Sequence, residues 1–365
     1  AYLATVKDTN DTSYQFGKNM DQNYGTTAID EYAVDVTWEV ADKTDIGVDM
    51  RLLNNKLNLQ FDYFKESRKG IYLRRSSIPS YVGMINNPYG NIGKVENKGF
   101  ELSVNYANSW GDWSLSLMGN YSFNRNKVLE DDSTVAYPWQ NTIGNKVGQR
   151  FGLVALGLFD SYEEIAASPV QTGDTRPGDI KYKDVNGDGK IDEYDKVPIG
   201  WGSVPEIMYG FGFSVGWKNL SLTAMFQGAA HVDAMLSGEG VLPFSQGSSR
   251  GNLLSNVTDR WTEENPRQDV FYPRLSIGNI NMNYEESTWW LKDTDYLRLK
   301  NIELSYRLPD RWMKRIHLSN ARIFIQGVNL LTFSSFKIWD VELGDGRGAK
   351  YPNIASVSLG INFNF

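Results

Sequence analysis

Oxygen-bearing side chains recur at a regular spacing in the segment DVNGDGKIDEYD, residues 184–195. A twelve-residue loop wraps a hard cation with oxygens at positions one, three, five, seven, nine and twelve, and a glycine at position six makes the sharp turn. The matching residues are Asp184, Asn186, Asp188, Lys190 (through its backbone carbonyl), Asp192 and Asp195, with Gly187 at the turn. The spacing predicts a structural calcium ion that stiffens a long loop. The alternative is a turn rich in Asp, Asn and Gly that holds no metal.

Large aromatic side chains on or beside long connecting segments form a second candidate site. Exposed Trp and Tyr side chains stack on sugar faces or grip peptide side chains. We expect solute contacts from Tyr137, Trp139, Trp201, Trp289, Trp290 and Trp339. The alternative for each of them is packing.

The composition offers little for catalysis. The 365 residues include no Cys and two His, His231 and His317, so neither a nucleophile triad nor a thiolate or histidine-rich metal centre can be proposed. The formal charge is -7, without the basic footprint of a nucleic-acid-binding protein. We therefore expect no enzyme, no organic or redox cofactor and no nucleic-acid partner.

The elements that must position these residues are strands. Apolar and polar residues alternate over 99–107 and again over 113–124, which predicts a hairpin with its turn at 108–112. The pairs 46–53 with 57–66 and 210–217 with 220–228 repeat the pattern across short Asn-containing turns, where Asn tolerates positive φ. Further strands are predicted at 296–308, 321–328 and 355–365. We expect roughly ten to twelve strands of about nine to thirteen residues in all.

Strands of this length favour a transmembrane antiparallel β-barrel. A tilted strand of about ten residues crosses a bilayer with apolar side chains outward and small or polar ones inward. Such a barrel predicts that six side chains face lipid: Leu102, Val104, Leu115, Leu117, Leu359 and Ile361. The alternative is a soluble β-sandwich or propeller, in which these side chains pack against a second sheet.

The connections fall into two classes, which strengthens the barrel interpretation. Turns of a few residues alternate with long loops near 129–149, 160–205, 229–293 and 333–352. Long unstructured loops are uncommon in a compact soluble domain, whereas an outer-membrane barrel has short turns on one side and long extracellular loops on the other.

Three segments resemble the C-terminal barrel of SusC/RagA-type TonB-dependent outer-membrane transporters. They are NIGKVENKGFEL at 91–102, YLRLKNIELSYRLP at 296–309 and GVNLLT at 327–332. The Asp-rich loop and the final strand are similar as well, and Phe363 and Phe365 resemble the terminal aromatic signal read by barrel-assembly machinery. A departure is Asp340-Val341-Glu342, where the family usually has Asp-Pro-Glu.

The resemblance implies that residues 1–365 are the C-terminal part of a large barrel of about 22 strands. The partners that it implies are an N-terminal barrel and plug segment, the TonB complex, outer-membrane lipid and a SusD-like lipoprotein lid. The expected function is import of oligosaccharides or peptides across the outer membrane. The alternative is a secreted, calcium-stabilised glycan-binding β-protein.

Overall fold

The computed structural model describes residues 4–16, 18, 22–31, 35–82, 84, 86–244, 253–278, 280–315 and 319–364. Nearly all regular structure in this part of the chain is β. The long strands are β1 Thr5–Phe16, β2 Gln22–Glu31, β3 Val40–Leu52, β4 Leu57–Arg74, β5 Tyr89–Trp110, β6 Trp113–Glu130, β13 Ile207–Trp217, β14 Leu220–Ala230, β17 Tyr296–Arg307, β18 Asn320–Ser334 and β19 Ser356–Asn364. The short strands are β7 Arg150–Gly152, β8 Ala155–Leu158, β9 Val170–Gln171, β10 Ile180–Tyr182, β11 Lys190–Ile191, β12 Val197–Ile199, β15 Asp233–Met235 and β16 Leu291–Asp293. The described residues also contain two short α-helices, α1 Tyr162–Ala166 and α2 Asp310–Arg315, and 3-10 helices at Ser80–Val82, Pro138–Gln140, Glu193–Asp195, Ser255–Thr258 and Val341–Leu343. No helix in the described ranges has the length and apolar character needed to span a bilayer.

Nine long strands form one sheet in the order β19-β18-β17-β14-β13-β6-β5-β4-β3, and β1 pairs with β2 in a separate antiparallel hairpin. The sequence predicts strands of about nine to thirteen residues, but β4, β5 and β6 have 18, 22 and 18. They extend beyond the alternating stretches because backbone pairing continues where the side-chain pattern becomes irregular. The predicted turn at 108–112 shrinks to Gly111 and Asp112 for the same reason.

The two other predicted short turns are confirmed. Leu53, Asn54 and Asn55 all have positive φ, between 55 and 66°, in the turn from β3 to β4. Lys218 at φ 52° makes the turn from β13 to β14, where Asn219 donates its side-chain amide to the carbonyl of Arg307. These turns lie at one end of the strands, and the long connections leave from the other end.

The chain divides into two compact units. The first consists of Ala1–Asp45, Phe64–Lys98 and Arg125–Val147, and the second of Ile46–Tyr63, Gly99–Asn124 and Gly148–Phe365. In the first unit, Arg68 pairs with Glu39 and Glu66, and Asp131 accepts hydrogen bonds from Ser133 and Thr142.

One face of the sheet in the second unit is apolar from strand to strand. Residues that pair across strands share a face, and the register aligns Leu117 with Phe213, Leu222 with Leu304, and Ile325 with Leu359. Leu359 is 78% exposed, so no second sheet covers this face within the described residues. A soluble sandwich would bury such a face, whereas a membrane barrel turns it toward lipid.

The long loops contain the hydrophobic core. We call segments 148–206, 231–295 and 335–355 the loop head. Its buried cluster contains Leu153, Ile180, Tyr182, Met235, Trp261, Tyr272, Trp290 and Phe336, with eight further apolar residues. The expectation of long unstructured loops is therefore wrong for these segments, because they pair into short strands and bury apolar side chains against one another.

Candidate functional site: the polar sheet face and the loop head

The face opposite the apolar one is lined by small and polar side chains. Ser116, Ser214 and Thr223 are aligned across three strands, and the Thr223 and Ser214 hydroxyls lie 3.0 Å apart. Beside them, a groove of about 520 Å³ is lined by Gln60, Asp62, Glu101, Asn120 and Gln227, among others. The polar members of this lining can form hydrogen bonds with a hydrophilic solute, and Met208 and Met225 add apolar contacts.

An ion-pair cluster joins the three segments of the loop head. Arg150 donates from Nε to Asp233 Oδ1 (3.2 Å) and from Nη2 to Asp345 Oδ1 (2.7 Å). Asp233, which is buried, also accepts from the backbone amides of Trp201 and Gly202. These contacts join residues up to 195 positions apart in the sequence. They therefore hold the three loop segments together as one structural unit.

A second buried carboxylate, that of Asp179, joins residues 274–283 to the segment 148–206 of the loop head. Asp179 accepts from Arg274 through both oxygens, each at 2.9 Å, and its Oδ1 also accepts from the amides of Asn281 and Asn283. Burying a charge is costly unless hydrogen bonds compensate it, and with the backbone amide of Arg176 five donors satisfy this one. Burial also raises the pKa of the nearby Tyr284 phenol to about 12, so that group stays neutral.

A third cluster attaches the loop head to the top of the sheet. Arg298 on β17 donates to Glu342 Oε2 (2.7 Å), Asp340 Oδ1 (2.8 Å) and Thr332 Oγ1 (3.0 Å). The Tyr296 hydroxyl adds a hydrogen bond to Glu342 Oε1 (2.9 Å). We call Arg298, Asp340 and Glu342 the strand clamp. Burial alone would raise the pKa of Asp340, but the hydrogen bonds from Arg298 and from backbone amides outweigh it and hold that pKa below its usual value.

A β-bulge places Arg298 on the polar face. Leu299 pairs with Phe226 and Asn301 with Met225, so Lys300 is an extra residue on β17. On β18 the register also shifts, at Asn329, which has φ 53°. Bulges reorient side chains in this way. Residues 296–309 and 327–332 carry the family resemblance, but the sequence alone does not predict the clamp.

In the Asp-rich loop, the predicted metal ligands contact the backbone of the loop itself. Asp184 accepts from the amides of Gly187 (2.6 Å) and Gly189 (2.9 Å), and the buried Asp195 accepts from those of Val185 (2.7 Å) and Asp192 (2.9 Å). Asn186, Asp188 and Asp192 accept from amides two residues further on. Within the described ranges, no three acidic or histidine side chains converge at one point suited to a metal ion.

The Asp-rich loop still has the chemistry that a hard cation requires. Its donors are oxygens of Asp and Asn side chains, and Lys190 at the seventh position would contribute its backbone carbonyl. The amides of Gly187 and Gly189 already curve the backbone around Asp184, at φ 75 and 82°. A cation therefore has to draw the carboxylates inward from these amides.

The six candidate aromatic residues lie in different environments. Tyr137 and Trp139 stack on each other with ring centroids 4.6 Å apart, and Trp201, 42% exposed, stacks on the His231 ring at 4.0 Å. Trp289 is half-buried and donates to the carbonyl of Phe271.

Two of the six aromatic residues are packing residues in this conformation. Trp290 is 1% exposed and donates to the carbonyl of Asn283 (2.7 Å), and Trp339 packs against Phe336 and Gly348. In the last strand, Phe363 is exposed on the apolar face, whereas Phe365 lies outside the described residues, as does His317.

An antiparallel sheet with a lipid-type face, a polar face and long loops at one end defines a segment of an outer-membrane β-barrel. Residues 9–330 match the family described as "TonB dependent receptor-like, beta-barrel". The chain belongs to this family, whose members are receptors and transporters of the outer membrane rather than enzymes.

Individual relatives agree with the family assignment. The chain is 28% identical over 377 aligned residues to TonB-dependent receptor P3 of Formosa agariphila, covering 94% of this chain and 36% of that protein. It is 24% identical over 386 residues to TonB-dependent receptor SusC of Bacteroides thetaiotaomicron, covering 100% and 36%. The chain thus spans little more than a third of the length of these relatives.

A solved structure shares the fold. The RagAB peptide importer in its "open-open" state superposes with a TM-score of 0.70 at 21% identity, covering 100% of this chain and 38% of that one. This likeness concerns the fold.

Proposed function

We propose that this chain forms the wall and the extracellular loops of a TonB-dependent importer that takes up oligosaccharides or peptides across the outer membrane. The observation that carries the proposal is the two-faced sheet. Its apolar face suits lipid, its polar face suits an aqueous path, and a rigid loop head stands at one end of that path. Binding and release need no covalent chemistry, and we propose none.

The proposed partners follow from the family and from the sheet. Unpaired strand edges are unfavourable in lipid, so we expect further barrel strands and a plug to complete the pore. TonB would then act on the plug. A SusD-like lipoprotein lid is the proposed partner of the loop head, because a preformed surface binds without the entropy cost of ordering loops.

Four of the six candidate aromatic residues are the proposed solute contacts. Trp201 is exposed, and Tyr137, Trp139 and Trp289 are half-buried, so each of the four keeps part of its ring accessible. Trp290 and Trp339 pack in the hydrophobic cluster of the loop head. Phe363 is proposed as part of the assembly signal, because its exposed ring stands in phase with Leu359 and Ile361 on the last strand.

Calcium in the Asp-rich loop is also proposed. It would neutralise Asp184, Asp188, Asp192 and the buried Asp195, none of which forms an ion pair with a basic side chain in the described residues.

Uptake measurements test the function. Cells that make the complete protein are expected to accumulate a labelled oligosaccharide or peptide, and accumulation should stop when TonB is removed. Trp201→Ala should reduce uptake, whereas Trp312→Ala should not, because Trp312 is equally exposed (46%) but lies on α2 at the opposite end of the strands. Accumulation that is independent of TonB would refute the proposal.

A further inference from the structure

A pocket of about 580 Å³ opens in the loop head. Its walls come from residues 254–256, Phe271, residues 292–293 and residues 335–338, all within the second unit. Four of these side chains are apolar: Leu254, Phe271, Phe336 and Ile338. The remainder include two lysines, Lys292 and Lys337.

Lys292 is a half-buried cation without an acidic partner. Its Nζ donates to the carbonyl of Trp289 (2.8 Å) and lies 5.4 Å from the centroid of the Phe271 ring. No carboxylate of the described residues forms an ion pair with it, and burial lowers its pKa. A desolvated ammonium in this position is stabilised by an anion that enters the pocket.

The other charges of the pocket leave it positive. Lys337 is exposed and forms no ion pair with any residue that the structure describes. The acidic residue of the lining is Asp293, whose Oδ1 already accepts from the backbone amide of Asp295 (2.8 Å).

Asn256 lines the pocket, but its side-chain amide oxygen is closed to solvent. Asn256 Oδ1 is buried, and no donor among the described residues reaches it. Leaving such an atom without a partner costs free energy, but solvent does not reach it, so the pocket's contacts for a ligand are its lysines and apolar side chains.

We propose that this pocket binds the C-terminal residue of a peptide solute. The free carboxylate lies between Lys292 and Lys337, and the apolar side chain packs against Phe271, Phe336, Leu254 and Ile338. A uronic acid would also offer a carboxylate, but the four apolar side chains, two aliphatic and two aromatic, offer its hydroxyl groups no hydrogen bond and instead suit an apolar side chain. The proposal rests on the import function and narrows its substrate to peptides.

Binding to the complete detergent-solubilised protein tests this proposal separately from uptake. The probes are a fluorescently labelled pentapeptide that ends in leucine, the same peptide with a C-terminal amide, and a uronic acid disaccharide as competitor. Fluorescence anisotropy should show the free acid binding about tenfold more tightly than the amide, as expected for a charge-assisted contact.

Variants locate the contact. Lys292→Gln and Lys337→Gln should each remove most of the difference between acid and amide, whereas Lys183→Gln should preserve it. Lys183 is exposed in the same loop head but outside the pocket. Since the Lys337 side chain is exposed and unpaired, its variant reports on binding even if Lys292→Gln perturbs folding.

Equal binding of acid and amide, an acid preference that survives both variants, or displacement by the uronic acid as effective as by the free peptide would each overturn the proposal. Uptake that depends on TonB would still support the import function in all three cases. Conversely, uptake that does not need TonB would refute the import function, whereas the binding measurements on this pocket would still stand.

Discussion

Replacement of Arg298 by Gln should release the loop that carries Asp340 and Glu342 from the sheet. The Arg298 side chain is 3% exposed, and the variant loses two ion pairs of 2.7 and 2.8 Å. Breaking a buried ion pair costs about 3–5 kcal/mol. We expect a value near the lower end, about 3 kcal/mol, because Glu342 keeps hydrogen bonds from Tyr296 and Asn353.

Hydrogen exchange of residues 340–345 measures this effect directly. The Leu343 amide donates to the carbonyl of Asp340 (3.0 Å), and the Glu342 amide donates to the Asp340 carboxylate (3.0 Å). A loss of about 3 kcal/mol corresponds to roughly hundredfold faster exchange through local opening.

A second ion pair with the same N–O distance but a more exposed arginine is the matched control. Arg322 pairs with Glu303 at the same 2.7 Å on the polar face, but its side chain is 39% exposed. An exposed pair contributes about 0–1 kcal/mol, so Arg322→Gln should leave exchange at 340–345 unchanged. Unchanged exchange in Arg298→Gln, or equal acceleration in both variants, would refute the assignment of the clamp.

Three further predictions follow from the same structure. Leu222→Arg, on the lipid face, should cost about 2–4 kcal/mol and reduce the folded fraction on unheated gels, whereas Thr223→Arg, on the polar face, should fold normally; equal losses would contradict the assignment of the faces. Gly200 has φ 63°, and a Cβ there would clash with Asp233 and Leu291. Gly200→Ala should therefore lower the melting temperature more than Gly202→Ala, because a Cβ at Gly202 meets no atom within 4 Å. Equal shifts in melting temperature would contradict the packing around Gly200. The pKa of Asp340 is lowered from 3.8, so its stabilising effect is present above that pH and disappears as the pH falls through the lowered value. Asp340→Asn should therefore speed exchange at pH 7 but match the parent protein in strong acid, and a difference that persists in acid would contradict this reasoning.

The proposed calcium ion makes a prediction of its own. Adding calcium to metal-free protein should raise the melting temperature, because only the folded loop offers all its ligands. Asp195→Asn should abolish that rise, whereas Asp174→Asn, in the same long connection but outside the Asp-rich loop, should retain it. If adding calcium leaves the melting temperature unchanged, the result would favour a turn that holds no metal.

The faces of the sheet could be predicted from sequence because alternation is local. Leu115 and Leu117, or Leu359 and Ile361, face the same side whichever strands pair with them. Asn54 and Asn55 identified their turn for an equally local reason, because Asn tolerates the positive φ found there.

The loop head could not be predicted in this way. Its core joins residues that are far apart in sequence, and Arg150 meets Asp345 across 195 positions. Nothing near Trp290 distinguishes it from Trp201, yet the first is buried and the second is exposed. Period-two patterning also disappears in strands of two to four residues, so the short strands of the head carry no local signal.

The strand clamp could be predicted in part. Its signal in the sequence is a conflict between the alternation of strand β17 and the residue types at positions 298–300. Alternation counted back from Ile302 would put Lys300 and Arg298 on the lipid face and Leu299 in the aqueous path. Charged residues there are costly, so either the strand ends or one residue bulges out. The structure adopts the bulge at Lys300, which returns Leu299 to the apolar face beside Phe226 and turns Arg298 toward Asp340 and Glu342. A break in alternation inside an otherwise regular barrel strand therefore indicates where the wall is attached to the loops above it.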